Sequence, residues 1–272
     1  MMIGMPTAIQ ASAEEAKTFS DGTVTYEVIE GGVKITDVDE GQVSLIIPHD
    51  INGYPILAIG EYAFSDCAGL TSVEIQGDVT TIETGAFSEC TALTKIDLGD
   101  SLTTIADGAF YYCAGLTELE IPDTVTEIGT YAFAYCLSLE TIQLPAVSLL
   151  PSYAFYYDVS LSDVKLPEGM EEIGSMAFVG CQSLQALEIP ASVSQIDDFA
   201  FISCSQLAQL TVAEGNTAYQ TVDDVLFDAA GSNLILYPAA KADTAYTVPE
   251  QATAILPYAF SGAANLTEIT LH

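Results

Sequence analysis

Residues 109–122 form the stretch Ala109-Phe110-Tyr111-Tyr112-Cys113-Ala114-Gly115-Leu116-Thr117-Glu118-Leu119-Glu120-Ile121-Pro122, and its pattern returns along almost the whole chain. The shared pattern is Ala-Phe-x-x-Cys-x-x-Leu-x-x-Leu-x-Ile-Pro. Its eight copies are marked by their phenylalanines, which are Phe64, Phe87, Phe110, Phe133, Phe155, Phe178, Phe201 and Phe260. The first seven are 23 residues apart, except for one step of 22 between Phe133 and Phe155. A fixed period of this size predicts a solenoid.

Each column of the repeat has a physical role. Alanine precedes the phenylalanine in all eight copies, where a methyl group suits a close approach between neighbouring coils. Cysteine follows three residues later in six copies, with Asp158 and Ala263 as the exceptions, and leucine follows six residues later in every copy. Two aliphatic positions separated by one variable residue come next. This alternation is typical of a strand with one buried face.

One coil is therefore predicted to contain a short strand, a turn, an aliphatic return and a compact helical or 3₁₀ turn around Ala-Phe. No coil buries its own apolar stripe, so neighbouring coils must stack and share one core. The stacked strands should form a parallel sheet with roughly 4.8 Å between neighbours. The predicted fold class is an α/β repeat solenoid, with the parallel sheet on one face and helical or 3₁₀ turns on the other.

The recurring columns resemble those of the BspA-type leucine-rich repeat family, a class of 23-residue repeats. The resemblance runs from about Gly41 to the end of the chain. It implies a leucine-rich-repeat solenoid that is secreted or displayed on a cell surface and serves adhesion or protein recognition. It implies no catalytic residue, because the family pattern contains none.

The chain divides into a leader, a cap and the solenoid. Residues 1–18 include a weakly apolar stretch that ends in Ala11-Ser12-Ala13, which indicates the remnant of a signal peptide or a disordered leader. Residues 19–48 should form a β-hairpin cap and the first strand. The solenoid should occupy 49–272, with an inserted β-hairpin at about 213–245. Because the chain stops at His272 inside a coil, we expect a segment of a longer protein.

Charge narrows the range of partners. The net charge is −33, from 38 acidic residues against five basic ones. Nucleic acid is disfavoured as a partner because phosphate binding depends on Lys and Arg. No apolar run approaches the roughly 20 residues of a membrane-spanning helix, so no direct membrane insertion is expected. The acidity serves solubility, or it attracts basic proteins or divalent cations.

Few residues could support chemistry. The six cysteines are expected to be buried free thiols, since equivalent side chains in a stack point in parallel. The chain has only two histidines, His49 and His272, and shows no nucleophile beside a base, so no enzyme and no cofactor is predicted. Short acidic runs at 37–41 and 223–224 offer oxygen ligands but complete no calcium loop. We interpret them as polar turns and predict no metal site.

Two surfaces are candidate binding sites. The first is the outward face of the sheet, for which we predict Glu74, Lys95, Asp97, Glu118, Glu120, Thr141, Gln143, Asp163, Lys165 and Glu188. The second is a tyrosine patch that comprises Tyr111, Tyr112, Tyr135, Tyr156 and Tyr157. Solenoids commonly bind through extended faces, and tyrosine is favoured at interfaces. The alternatives are an ordinary solvated sheet face and rings that pack along the convex side.

The sequence therefore predicts a non-catalytic binding domain, secreted or on the cell surface. Its expected partner is an extracellular protein or glycoprotein, and the solenoid is expected to be monomeric. The alternatives are a passive spacer or targeting module of a larger secreted enzyme, and an enzyme within this segment.

Overall fold

The computed structural model describes residues 18–197 and 199–272. The leader predicted for 1–18 lies outside the described residues, apart from Thr18, which begins the first strand.

The first six strands close one end of the core. They are β1 Thr18–Ser20, β2 Val24–Ile29, β3 Gly32–Val38, β4 Ser44–Ile47, β5 Asp50–Ile51 and β6 Tyr54–Ile59. Strands β1, β2 and β3 pair antiparallel, and β3 then pairs in parallel with β6. Val24, Tyr26, Val33 and Ile35 point from this hairpin into the core and are buried. The hairpin therefore covers the apolar end of the first coil, as a capping unit does in a solenoid.

Short strands repeat in pairs through the next coils. They are β7 Ser72–Ile75, β8 Thr81–Ile82, β9 Lys95–Asp97, β10 Thr104–Ile105, β11 Glu118–Glu120, β12 Glu127–Ile128, β13 Thr141–Gln143, β14 Leu149–Leu150, β15 Asp163–Lys165, β16 Glu172–Ile173, β17 Ala186–Ile189, β18 Gln195–Ile196 and β19 Gln209–Val212. The odd-numbered strands and β4 line one side of the coils in three parallel ladders, β4-β7-β9, β11-β13-β15 and β17-β19, which we together call the front sheet. The even-numbered strands line a second side in two parallel ladders, β6-β8-β10-β12 and β14-β16-β18.

The register confirms the stacked solenoid with parallel sheets. Ser72 pairs with Lys95 and Glu118 pairs with Thr141, each one 23-residue coil apart. Thr141 pairs with Asp163, only 22 residues later, so the ladder stays in phase across the short coil. The missing residue is absorbed in the connecting turns, where repeats tolerate changes in length.

The phenylalanine column forms the centre of the core. Six of the rings, from Phe64 to Phe178, are completely buried, and Phe201 is 6% exposed. Neighbouring ring centroids are 4.6 to 6.1 Å apart, in stacked arrangements. Offset stacking at these distances adds to the free energy of apolar burial. Each ring between Phe64 and Phe201 contacts the rings of the coils before and after it, so the core is continuous over these coils.

The cysteine column runs beside the phenylalanines. All six thiols are free and buried, as predicted. In the column from Cys90 onwards, each thiol donates to the carbonyl oxygen of the phenylalanine one coil earlier, at 3.0 to 3.3 Å. Burial raises the pKa of Cys67 to about 11 and the pKa of Cys90 to about 12. The thiols therefore stay protonated and fill space between coils.

The segment around Ala-Phe is a run of turns. In the coil of Phe110, the N–H groups of Gly108, Phe110 and Tyr112 donate to carbonyl oxygens of the next coil, each at 2.8 Å. The intervening N–H groups donate to the carbonyl three residues earlier in their own coil. A helix needs all its N–H groups to point along one axis, and this alternation prevents it. The described residues contain no helix, so the helical or 3₁₀ turns predicted for this face, and the α/β class with them, are not supported; the fold is a β-solenoid.

Each turn segment contains two residues in the left-handed conformation. The position two before the phenylalanine has φ from 55° to 67°, and the position two after it has φ from 57° to 78°. The first position is occupied by Tyr62, Gly85, Gly108, Tyr131, Tyr153, Met176, Phe199 and Tyr258. Bulky residues rarely adopt this conformation, but here the alternating hydrogen bonds impose it on every coil.

The last strands include the insertion. They are β20 Tyr219–Val222, β21 Val225–Asp228, β22 Asn233–Leu236, β23 Ala245–Thr247, β24 Ala254–Ile255 and β25 Glu268–Thr270. Strands β20 to β22 form an antiparallel meander, and β22 then pairs in parallel with β24. Tyr237 is buried where a coil would carry its phenylalanine, and its N–H donates to the carbonyl of Ala259 at 2.7 Å. Tyr237 therefore begins the 23-residue step to Phe260, a role that the sequence pattern did not reveal.

Candidate recognition surfaces

The front sheet presents its alternate side chains to solvent. Leu119, Ile142 and their equivalents point into the core, so the flanking residues of each strand point outward. All ten predicted sheet-face side chains are exposed, and they lie in two parallel columns across six strands. The first column comprises Ser72, Lys95, Glu118, Thr141, Asp163 and Ala186. The second comprises Glu74, Asp97, Glu120, Gln143, Lys165 and Glu188. Their role in binding stays a prediction.

Negative charge dominates this face. Its two columns contain six carboxylates and two lysines. Ion pairs within the described part of the chain involve only Lys34, with Glu27 and Glu83, and Lys241, with Asp243. The lysines of the front sheet therefore keep their ammonium groups available for a partner.

Two depressions cross the front sheet. One has a volume of about 710 Å³ and is lined by Lys95, Asp97, Glu118, Glu120, Thr141 and Gln143, among others. The other has a volume of about 670 Å³ and includes Gln143, Asp163, Lys165 and Glu188. All ten predicted residues except Glu74 line one of them. The sheet face is therefore concave in two places as well as charged.

The structure brings the five predicted tyrosines together. Their neighbouring ring centroids are 4.8 to 6.5 Å apart. Tyr131 and Tyr153 join them: these two rings stack at 4.3 Å, and Tyr153 meets Tyr156 at 5.5 Å. We call the seven residues, Tyr111, Tyr112, Tyr131, Tyr135, Tyr153, Tyr156 and Tyr157, the tyrosine cluster. The two added residues stand two before their phenylalanines, in a column that sequence inspection could have followed.

A cleft of about 690 Å³ lies beside the cluster, on a different side of the coil from the front sheet. Six tyrosines line this tyrosine cleft, namely Tyr62, Tyr111, Tyr131, Tyr135, Tyr153 and Tyr156. Its other polar lining includes Asp107, whose Oδ1 accepts the N–H of Thr130 at 2.7 Å. Partial burial raises the pKa of Tyr131 and of Tyr135, and neighbouring tyrosines raise both further. The phenols of Tyr131 and Tyr135 are therefore neutral near pH 7 and present both ring faces and hydroxyl groups.

The acidic runs form turns. The Oδ1 atom of Asp39 accepts the N–H of Gly41 at 2.8 Å, and Asp223 and Asp224 form the left-handed turn between β20 and β21. Within the described ranges, no three His, Cys, Asp or Glu side chains converge in a way that could hold a metal ion. The same ranges contain no helix of the length and apolarity that crossing a membrane requires.

One buried carboxyl group interrupts the cysteine column. Asp158 is fully buried, and its Oδ1 accepts the N–H of Cys136 at 2.8 Å. Its Oδ2 has no hydrogen-bond partner among the described residues. Burial raises the pKa of Asp158 well above its usual range. The group is therefore held in its neutral form.

Solved structures share this architecture. A leucine rich cell surface protein from Faecalibacterium prausnitzii A2-165 is 28% identical, with a TM-score of 0.83 over 95% of this chain and 77% of that one. The T. pallidum leucine rich repeat protein is also 28% identical, with a TM-score of 0.51 over 62% of this chain and 91% of that one. The pneumococcal vaccine antigen PcpA is 22% identical, with a TM-score of 0.64 over 94% of this chain and 65% of that one, and shows the fold alone.

The repeat itself is diagnostic at the level of sequence. No curated protein matches the chain. The family described as "BspA type Leucine rich repeat region" matches residues 57–149 and 148–232, in six copies that together span more than half of the 272 residues. The chain therefore belongs to the BspA-type leucine-rich repeat family.

Proposed function

We propose that the chain is a recognition domain that binds an extracellular protein or glycoprotein through its front sheet and performs no catalysis. The observation that carries this proposal is the pair of columns, which span six strands and contain ten exposed polar or charged side chains. A rigid stack holds these side chains at a fixed spacing, so a partner meets an ordered array of charges. Such complementarity determines specificity and association rate more than raw affinity.

The proposed location is the cell surface or the secreted fraction. The support is the similarity to a Faecalibacterium protein that is described as a cell surface protein, together with membership of the family. An acidic exterior with few lysines fits a protein partner better than nucleic acid, which needs basic side chains. The domain is proposed to act as a monomeric solenoid without a cofactor.

A charge-matched pair of variants tests the front sheet. The test variant combines Asp97→Asn, Glu118→Gln and Glu120→Gln, which removes three carboxylates from one depression. The control combines Glu61→Gln, Glu127→Gln and Glu250→Gln, three exposed carboxylates outside both depressions. Both changes shift the net charge equally. Binding is measured by biolayer interferometry against a panel of purified extracellular matrix proteins.

We expect the test variant to lose about tenfold or more in affinity for the protein that binds, because a few central residues carry most of the binding free energy. The control should bind like the natural protein. Equal losses in the two variants would assign binding to general charge. If no matrix protein binds any variant, the spacer role is favoured and the recognition proposal is wrong.

A further inference from the structure

We propose that the tyrosine cleft is a second recognition site, which takes the arginine or lysine side chain of a basic peptide segment. The cleft lies away from the front sheet, so this proposal goes beyond the function proposed above and each can fail alone.

Two glycines open the cleft. In the left-handed column, Gly85 and Gly108 stand between Tyr62 on one side and Tyr131 on the other, and all four residues line the cleft. A Cβ atom at Gly85 would lie 2.3 Å from the ring of Tyr62, so that ring extends across the glycine. Gly108 therefore separates the ring that covers Gly85 from the ring of Tyr131, which gives a cleft with aromatic walls.

The rings stand where a smaller residue fits better. Tyr62, Tyr131 and Tyr153 have φ between 55° and 60°, a conformation that glycine adopts without strain. Gly85 and Gly108 show that the same column accepts glycine. Tyr62 is also 59% exposed, so core packing does not account for its ring. The Tyr62 ring therefore keeps an accessible aromatic face at the edge of the cleft.

Charge selects the class of ligand. Neither Lys nor Arg nor His lines the cleft within the described residues, and Asp107 supplies a carboxylate. The protein as a whole has a net charge of −33, which attracts cations and repels anions. Tyrosine faces bind guanidinium and ammonium groups through cation–π attraction, and guanidinium also stacks on the ring. A basic side chain between the rings can stack on the tyrosine faces and place its charge near the carboxylate of Asp107.

The test uses a fluorescent octa-arginine peptide and its uncharged octa-citrulline equivalent, with affinity measured by anisotropy. Two variants probe the cleft: the double variant Tyr111→Leu with Tyr156→Leu, and Asp107→Asn. Their matched controls are Tyr258→Leu, which removes an exposed ring elsewhere, and Glu250→Gln, which makes the same charge change elsewhere. Thermal unfolding of each variant verifies that it is folded. Measurements in about 0.5 M NaCl suppress long-range attraction to the acidic surface.

We expect the octa-arginine peptide to bind the natural protein in this salt, and the double tyrosine variant to bind about fivefold or more weakly. Asp107→Asn should weaken binding as well, while both controls bind like the natural protein. The proposal is overturned if the cleft variants match their controls, or if octa-citrulline binds as well as octa-arginine. It is also overturned if a neutral oligosaccharide such as cellohexaose displaces the peptide and binds more tightly, since the cleft would then be a glycan site.

Discussion

At the scale of single residues, Asp158 places a carboxyl group in a buried column that otherwise carries cysteine or alanine. Its column accepts a thiol in the coils on both sides, at Cys136 and Cys181. A carboxyl group there accepts one backbone N–H but leaves Oδ2 without a partner among the described residues. An unsatisfied buried oxygen typically costs about 1–3 kcal/mol. The residue therefore lowers the stability of the coil that contains it.

Replacing this residue with the one that its column prefers should stabilise the protein. We expect Asp158→Cys, kept reduced, to raise the free energy of unfolding by about 1–3 kcal/mol at neutral pH. The folded pKa of Asp158 is raised, whereas in the unfolded chain the group ionises near pH 4. The natural protein therefore loses stability from this group as pH rises above about 4, until its folded pKa is reached.

Urea unfolding of both proteins at pH 4 and at pH 7.5 measures the effect. The advantage of the variant should be larger at pH 7.5, and the other carboxylates cancel because both proteins carry them. An advantage that is the same at both pH values, or one that is larger at pH 4, would contradict this account of Asp158.

At the scale of elements, the corner after β12 brings two neighbouring coils into close contact. Gly129 follows β12, and its N–H donates to the carbonyl of Ile105 in the preceding coil at 2.8 Å. A Cβ atom at Gly129 would lie 2.3 Å from the backbone nitrogen of Asp107. The neighbouring atom belongs to the backbone and cannot rotate away. Glycine is therefore required here by contact between coils.

Gly129→Ala should lower the free energy of unfolding by about 2–3 kcal/mol, because one coil must move away from the next. The control is Gly69→Ala, where the nearest atom to a new Cβ is 3.9 Å away and φ is not left-handed. It should change stability by no more than about 0.5 kcal/mol. Urea unfolding compares the two variants, and equal effects would show that the corner is less tight than the structure indicates.

The sequence predicts most of this architecture because each repeat column has the same structural role in every coil. The phenylalanine and leucine columns are apolar in every copy, and the cysteine column is apolar except at Asp158, so the burial of these columns from Phe64 to Leu207 follows from periodicity. The turn around Ala-Phe could not be predicted, since its form depends on hydrogen bonds to the next coil. Tyr237 was missed because its coil lacks the preceding alanine and carries Asp243 in place of leucine.

Of the two candidate sites, the front sheet could be predicted from the sequence pattern, whereas the full tyrosine cleft could not. Alternation within a strand placed the sheet-face residues outward, and the structure shows them exposed. The tyrosine cleft depends on left-handed residues that no hydrophobic pattern marks, so Tyr62, Tyr131 and Tyr153 were not predicted to belong to it.

At the scale of the whole molecule, the acidic charge destabilises the folded state, whereas the stacked core stabilises it. The net charge of −33 is distributed over a surface with few ion pairs among the described residues, so repulsion opposes compaction. The core of stacked rings from Phe64 to Phe201 offsets this repulsion, and a second apolar cluster around Tyr237 does so in the last coils. Long-range charge therefore acts on the whole stack, whereas cohesion is local to neighbouring coils.

The parallel ladders also determine how the molecule responds to mechanical load. Hydrogen bonds between coils run along the solenoid axis, so tension along that axis opens the ladders in sequence and does not shear them. Each released coil of 23 residues adds about 75 Å of chain. Optical tweezers should record steps of this size, and a single extension of the whole chain would contradict this expectation. A solenoid of this kind lengthens stepwise under load and dissipates force while its remaining coils stay stacked.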